Sequence, residues 1–153
     1  MILSRNTIRN MKILVPCAEQ GQDHGYSFGL GPAGYDLRVH FDPEGKVVGL
    51  VMDPGSFILA STLERFYMPL NVMGIVHDKS SWARRGLAVQ NTVIEPGWRG
   101  YLTLELTNHG RTTLYIPKEV GIAQVIFHYV EEQADPYQGK YQDQEKGPVE
   151  ARL

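Results

Sequence analysis

The feature that most constrains the fold is a turn signal about every ten residues in two stretches, 31–55 and 95–110. "GPAG" (31–34), "DPEG" (42–45), "DPG" (53–55), "EPGWRG" (95–100) and "NHG" (108–110) interrupt the middle of the chain. Such spacing leaves little room for long helices and suits short strands joined by tight turns. The runs between the turns are rich in β-branched and aromatic residues: "YDLRVHF", "KVVGLVM", "SFILAST", "NVMGIVH", "LAVQNTVI", "YLTLELT", "TLYIP" and "AQVIFHYV". Alternation is clearest from 101 to 107. Leu102, Leu104 and Leu106 point one way; Tyr101, Thr103, Glu105 and Thr107 point the other. This pattern predicts an all-β (mainly β) sandwich, barrel or jelly roll. The one convincing helix start is "LSRNTIRNM", where Ser4 stands at a capping position and Ile8 and Met11 are three apart.

Composition narrows the function. The chain has 153 residues, enough for one domain with a sizeable core. Fifteen basic and seventeen acidic residues give a net charge of −2, which argues against general nucleic-acid binding. The single cysteine, Cys17, excludes an internal disulfide and a cysteine-rich zinc site. The five histidines show no HxxxH or HxH spacing. The N-terminus lacks a secretory pattern and no run approaches membrane-spanning length, so a cytoplasmic protein is expected.

Residues 1–130 read as the β domain. Residues 131–153, "EEQADPYQGKYQDQEKGPVEARL", read as a polar C-terminal arm. Tyr137 and Tyr141, four apart around "QGK", fit either an arm that closes over a ligand or a neighbouring subunit, or a frayed terminus.

Candidate chemistry is concentrated in "KSSWARRG" (79–86). Three cations and two hydroxyls in seven residues suit phosphate oxygens, with arginine offering a planar fork. If the segment is helical, Ser80 and Arg84 share a face. A solvated surface turn accounts for the same residues. Glu105 sits in mid-strand, where it either faces solvent or lines a pocket with a raised pKa suited to proton transfer. Glu95 stands at a strand end before a Pro-Gly turn. The glycines of "GPAGYDLRV" permit close backbone approach.

Taken in order, "GPAGYDLRV", "PGSFILASTLERFYMP", "DKSSWARRGL", "VIEPGWRGYLTLELTNHG", "GIAQVIFHY" and "GKYQDQEKGP" resemble the dCTP deaminases, of the same superfamily as the trimeric dUTPases. The resemblance runs over almost the whole chain and is weakest between Lys12 and Leu30. The glycine-rich C-terminal motif of trimeric dUTPases is absent.

The resemblance implies a dUTPase-like distorted β-barrel or jelly roll with a short N-terminal helix and a C-terminal arm. It implies a homotrimer with active sites at subunit boundaries. By matching motif, Glu105 is the general acid/base, Ser80 helps hold the attacking water, and Arg84 lies near the reacting nucleotide. Lys79 stands where the family usually has arginine, and Ser81 is a phosphate ligand. Lys140, Tyr141 and Gln144 match the family's nucleotide-closing arm, in which Tyr137 is a further nucleotide-binding candidate. Asn91, beside the expected base pocket, replaces a small residue. Glu95 replaces the usual aspartate, and Trp82 a usual leucine. Magnesium is expected with the triphosphate.

The sequence lacks the H-x-E and P-C-x-x-C of zinc deaminases. A route without zinc needs one carboxylate to move protons and partners to orient water. The expected reaction is therefore dCTP to dUTP and ammonia. The alternatives are a dUTPase or bifunctional enzyme yielding dUMP and pyrophosphate, and a non-catalytic nucleotide-binding regulator.

Overall fold

The eight apolar runs become strands of one curled sheet and a separate ribbon. The structure, a computed structural model, describes residues 1–41, 44, 46–90 and 92–153. Candidate Asn91 and three residues of the "DPEG" turn lie outside the described residues. The elements are α1 (Arg5–Met11), β1 (Leu14–Val15), β2 (Gly21–Asp23), β3 (Tyr26–Gly31), β4 (Gly34–His40), β5 (Gly49–Met52), β6 (Phe57–Tyr67), β7 (Val72–Asp78), α2 (Ser80–Ala83), β8 (Leu87–Val89), β9 (Val93–Ile94), β10 (Arg99–Asn108), β11 (Leu114–Pro117) and β12 (Gly121–Tyr129). Strand accounts for 47% and helix for 7%, which makes the class mainly β as expected.

Helix α1 starts at Ser4, but the Ser4 hydroxyl meets Thr7 Oγ1 at 3.1 Å instead of capping a backbone N–H. Ile8 is its fully buried face. Three strands, β1 to β3, fall in the 12–31 stretch where no strand was expected from the sequence. The "GPAG" signal is the β3–β4 hairpin, with Gly31 opposite Gly34.

The main sheet runs β8-β10-β6-β4-β12-β7-β9, with β3 added to β4 and β1 to β6; β5 and β11 form the ribbon. Period-2 alternation supplies the core. Leu37 and Val39 of β4, Leu104 and Leu106 of β10, and Val125 and Phe127 of β12 are all buried.

The order ends on β8 and β9, yet only residues 90–92 separate these two strands in sequence. A linker that short reaches at most about 14 Å. The sheet must therefore curl until its two edges nearly meet. The run "LAVQNTVI", read from sequence as one strand, crosses this seam.

A register break in β6 opposite Leu102 shapes the inner wall. Tyr101 pairs with Arg65, but Thr103 pairs with Ser61. Within the break, Thr62 Oγ1 accepts from the Leu102 N–H at 3.0 Å, in place of a ladder partner. Leu102 consequently leaves the fully buried set that Leu104 and Leu106 keep.

Candidate active site

A cavity of about 550 Å³ lies at the seam. Thr92 to Glu95 line it from the β9 side, and Leu102, Thr103 and Glu105 from β10. Phe57 and Leu59 of β6 form the apolar floor. The volume suits a small organic ligand.

Glu105 is half-buried on this wall. Leu59 pairs with it across the β6 side, and its carbonyl accepts from Gln90 N at 2.9 Å on the other. Desolvation pushes its carboxyl above the usual carboxylate range. Alternation decides this placement, because Leu104 and Leu106 must face the core. Thr103 shares the outward face with Glu105 and lines the same cavity. That position was legible in the 101–107 alternation, though the residue was not among the candidates. Phe57, Leu59 and Trp98 were missed as well; their strand faces carry no sequence signal until the pairing with β10 is known.

The arm is docked on its own chain. Trp98 Nε1 donates to the Tyr141 carbonyl at 2.8 Å, and Asp143 N donates to the Arg99 carbonyl at 2.9 Å. Tyr101 N donates to the Gln144 carbonyl at 3.0 Å. Tyr137, Tyr141, Gln144 and the terminal Val149–Ala151 thereby wall the cavity. Lys140 is exposed, outside the cavity lining, and its ammonium donates to the Arg152 carbonyl.

Gly100 permits this approach. Its φ is +145°, and a Cβ there would stand 2.7 Å from Gln144 N. Gly100→Ala is expected to lift the arm at a cost of about 1–3 kcal/mol. Faster chymotryptic cleavage at Tyr137 and Tyr141 would report it; cleavage unchanged from wild type would contradict the docking.

Segment 79–86 forms a single helical turn, α2, that the sequence left open. Its anchor is Trp82, which is buried and donates from Nε1 to the Gly121 carbonyl at 2.9 Å. Tyr26 stacks on the indole at 4.2 Å, and the Arg85 guanidinium lies 5.0 Å from its centre. Gly86, at φ +94°, ends the turn. Lys79 is not a free cation: Asp36 and Ser27 engage its ammonium. Ser80, Ser81 and Arg84 are exposed, and none of them lines the cavity of their own chain.

One chain thus brings together Glu95, Glu105, Tyr137, Tyr141 and Gln144, and leaves Lys79, Ser80, Ser81, Arg84 and Lys140 apart from them. Among the described residues, no group of His, Cys, Asp and Glu side chains has the geometry to hold a metal ion. No helix among them is long and apolar enough to cross a membrane.

The dCTP deaminase-like family model matches residues 43–130. The dCTP deaminase of Campylobacter concisus is 36% identical, over 88% of this chain and 87% of that protein. The dCTP deaminase of Thermococcus sibiricus is 36% identical, over 93% of this chain and 92% of that one. Among solved structures, EIAV dUTPase is similar with a TM-score of 0.55 at 22% identity, covering 71% of this chain and 85% of that one. The dUTPase of Staphylococcus bacteriophage 80alpha gives 0.57 at 15% identity, covering 81% and 90%. The structural likeness carries the dUTPase-like fold, and the sequence likeness carries the family. The chain belongs to the dCTP deaminase-like family.

Proposed function

We propose that this protein hydrolyses dCTP to dUTP and ammonia, with Glu105 as the general acid/base. The observation that carries the reading is a half-buried carboxyl, raised by desolvation, on the wall of a cavity of nucleotide size. Ionised Glu105 takes a proton from water as the oxygen bonds to C4, and delivers it to N3. The proton of the new C4 hydroxyl then passes through Glu105 to the amino group. The C4–N bond breaks, ammonia leaves, and a C4 carbonyl remains with the proton on N3. Zinc takes no part in this route, in keeping with a chain that lacks the zinc-deaminase motifs. Magnesium enters with the substrate, as the Mg·dCTP complex. A deoxynucleotide substrate goes with a cytoplasmic setting.

Ser80, Ser81 and Arg84 reach the reacting nucleotide from a neighbouring copy in a homotrimer. Their exposure on α2, away from their own cavity, supports this. Lys79 acts with them only if phosphate displaces Asp36. Tyr137, Lys140, Tyr141 and Gln144 close over the ligand, and Asn91 lies near the base.

Mixing tests the shared site. Glu105→Gln and Arg84→Met chains, each inactive alone, are expected to recover up to about a quarter of wild-type activity after co-refolding. This follows because each heterologous interface then pairs the intact residues in one case in four. No recovery in co-assembled trimers would place both residues in one subunit's site.

Glu95 supports a second reading. It lines the same cavity as Glu105, where a carboxylate can orient water toward the α-phosphorus beside Mg²⁺. Ammonia and pyrophosphate measured together with Mg·dCTP separate the two. Ammonia alone identifies a deaminase, both products a bifunctional enzyme, and pyrophosphate alone a phosphohydrolase.

A further inference from the structure

Thr103 joins the catalytic strand to the arm. It faces the cavity on the same side of β10 as Glu105, two residues away. Its hydroxyl oxygen accepts from Gln144 Nε2 at 2.7 Å and from Val149 N at 3.1 Å. One hydroxyl therefore fastens the arm at two points, five residues apart.

The same contacts fix which end of the Gln144 amide is committed to its own chain. Gln144 is 5% exposed, and its Nε2 also donates to the Tyr101 carbonyl at 2.8 Å. A backbone carbonyl accepts and never donates, so the nitrogen end of the amide must face Tyr101. One amide hydrogen goes to Tyr101 and the other to Thr103. The remaining polar atom of this side chain is Oε1, which accepts only. A buried acceptor rejects a ligand that brings another acceptor to the same point, because both are left unpaired. Cytosine carries N–H donors at C4, and uracil carries an acceptor oxygen there.

We propose that Thr103 is a positioning residue that holds the Gln144 amide with its oxygen toward the base, so that the closed site favours the 4-amino substrate over the 4-oxo product. This inference rests on the deaminase reading above. Without the Thr103 hydroxyl, one amide hydrogen is released and Gln144 can turn a donor toward a 4-oxo group. Product binding then strengthens relative to substrate binding. The Val149 contact ties this orientation to arm closure, since both use the same oxygen.

The test compares the full-length wild type with Thr103→Val and Thr103→Ser. KM for Mg·dCTP and the inhibition constant of Mg·dUTP are measured for each. In Thr103→Val the ratio of dUTP inhibition constant to dCTP KM is expected to fall about tenfold, the scale of one lost polar discrimination. Thr103→Ser, which keeps the hydroxyl, retains the wild-type ratio. A merely loosened arm weakens both nucleotides together and leaves the ratio in place. An unchanged ratio in Thr103→Val overturns the proposal, as does a ratio in Thr103→Ser that falls as far as in the valine variant. If valine does not fold, Thr103→Ala gives the same readout with a smaller side chain. A wild type that neither binds nor converts either nucleotide overturns the deaminase reading itself. A wild type that deaminates while the valine ratio stays put removes Thr103 alone.

Discussion

Glu105→Gln is expected to stop deamination, with kcat falling by about 10³–10⁴-fold, the upper range for a single proton-transfer group. Under the proposed mechanism, one carboxyl serves every proton movement of the reaction. It receives the water's proton, supplies N3, and then supplies the departing amine. Glutamine keeps the volume and the polar contacts but cannot accept a proton near neutral pH. Binding of Mg·dCTP, followed by calorimetry, should change little. Ammonia release is the activity readout, and substantial residual turnover removes Glu105 from the role.

The pH dependence carries a second signature. Burial raises the folded-state pKa of Glu105, so the acid limb of kcat/KM lies above the ordinary glutamate value of about 4.3. A carboxyl with a raised folded pKa contributes stability while protonated and loses it as pH rises through that pKa. Glu105→Gln escapes that loss. Its melting temperature relative to wild type should therefore increase from pH 4 to pH 8. The opposite trend would mean that the carboxylate is stabilised, not desolvated, in the folded chain.

Arg38→Met is the largest expected loss of stability. Glu64 is 0% exposed. It accepts from Arg38 Nε at 2.7 Å, Arg38 N at 3.0 Å and Tyr35 Oη at 3.2 Å. Tyr35 Oη in turn accepts from Ala18 N at 3.1 Å. This network links β4, β6 and the segment after β1 beneath the sheet. Breaking a buried pair by removing one partner costs about 3–5 kcal/mol, because the other charge is left without compensation. For a chain of this size that lowers Tm by roughly 10 °C.

Desolvation pushes the Glu64 carboxyl up, and the Arg38 guanidinium opposes it. Without Arg38 the carboxyl rises further. Ionised Glu64 then costs most at neutral and alkaline pH, and the cost fades as acid protonates it. Thermal melts of both proteins from pH 8 to pH 5 should show the gap in Tm narrowing. A gap that is constant with pH would mean that the loss comes from packing of the Arg38 stem, not from the stranded carboxyl.

Strand signals survived best where a run pairs on both sides and one face is buried. The "YLTLELT" run is β10, and its alternation already separated Glu105 from Leu104 and Leu106. The "GQDHGYSFGL" stretch contributes β2 and β3, yet it carries glycines and polar residues that read as loop; pairing with β4, not propensity, makes it extended. The run "LAVQNTVI" shows the reverse error. Its two apolar ends suggest one strand, but the polar residues 90–92 between them mark a break, because β8 and β9 satisfy the two opposite edges of one sheet.

The arm was legible as polar and as tyrosine-bearing, but its docking depends on the Trp98 indole N–H and on backbone groups of Arg99 and Tyr101, which no side-chain pattern of the arm reports. Lys79 carried the right charge for phosphate, while its commitment to Asp36 depends on β4 lying beside the end of β7, through β12.

By itself the sequence determined the mainly β class, through turn spacing and period-2 alternation, and the placement of Glu105 on the strand face opposite Leu104 and Leu106. These are local properties, set by steric preference and by which face of a strand must leave water. Only the tertiary structure decided that the sheet curls until β8 and β9 nearly meet, that the cavity opens at this seam, and that Thr103 and Gln144 meet within it. Those facts depend on strand order and on contacts between residues more than forty positions apart, where closure entropy and burial of the whole core, rather than local preference, select the pairing.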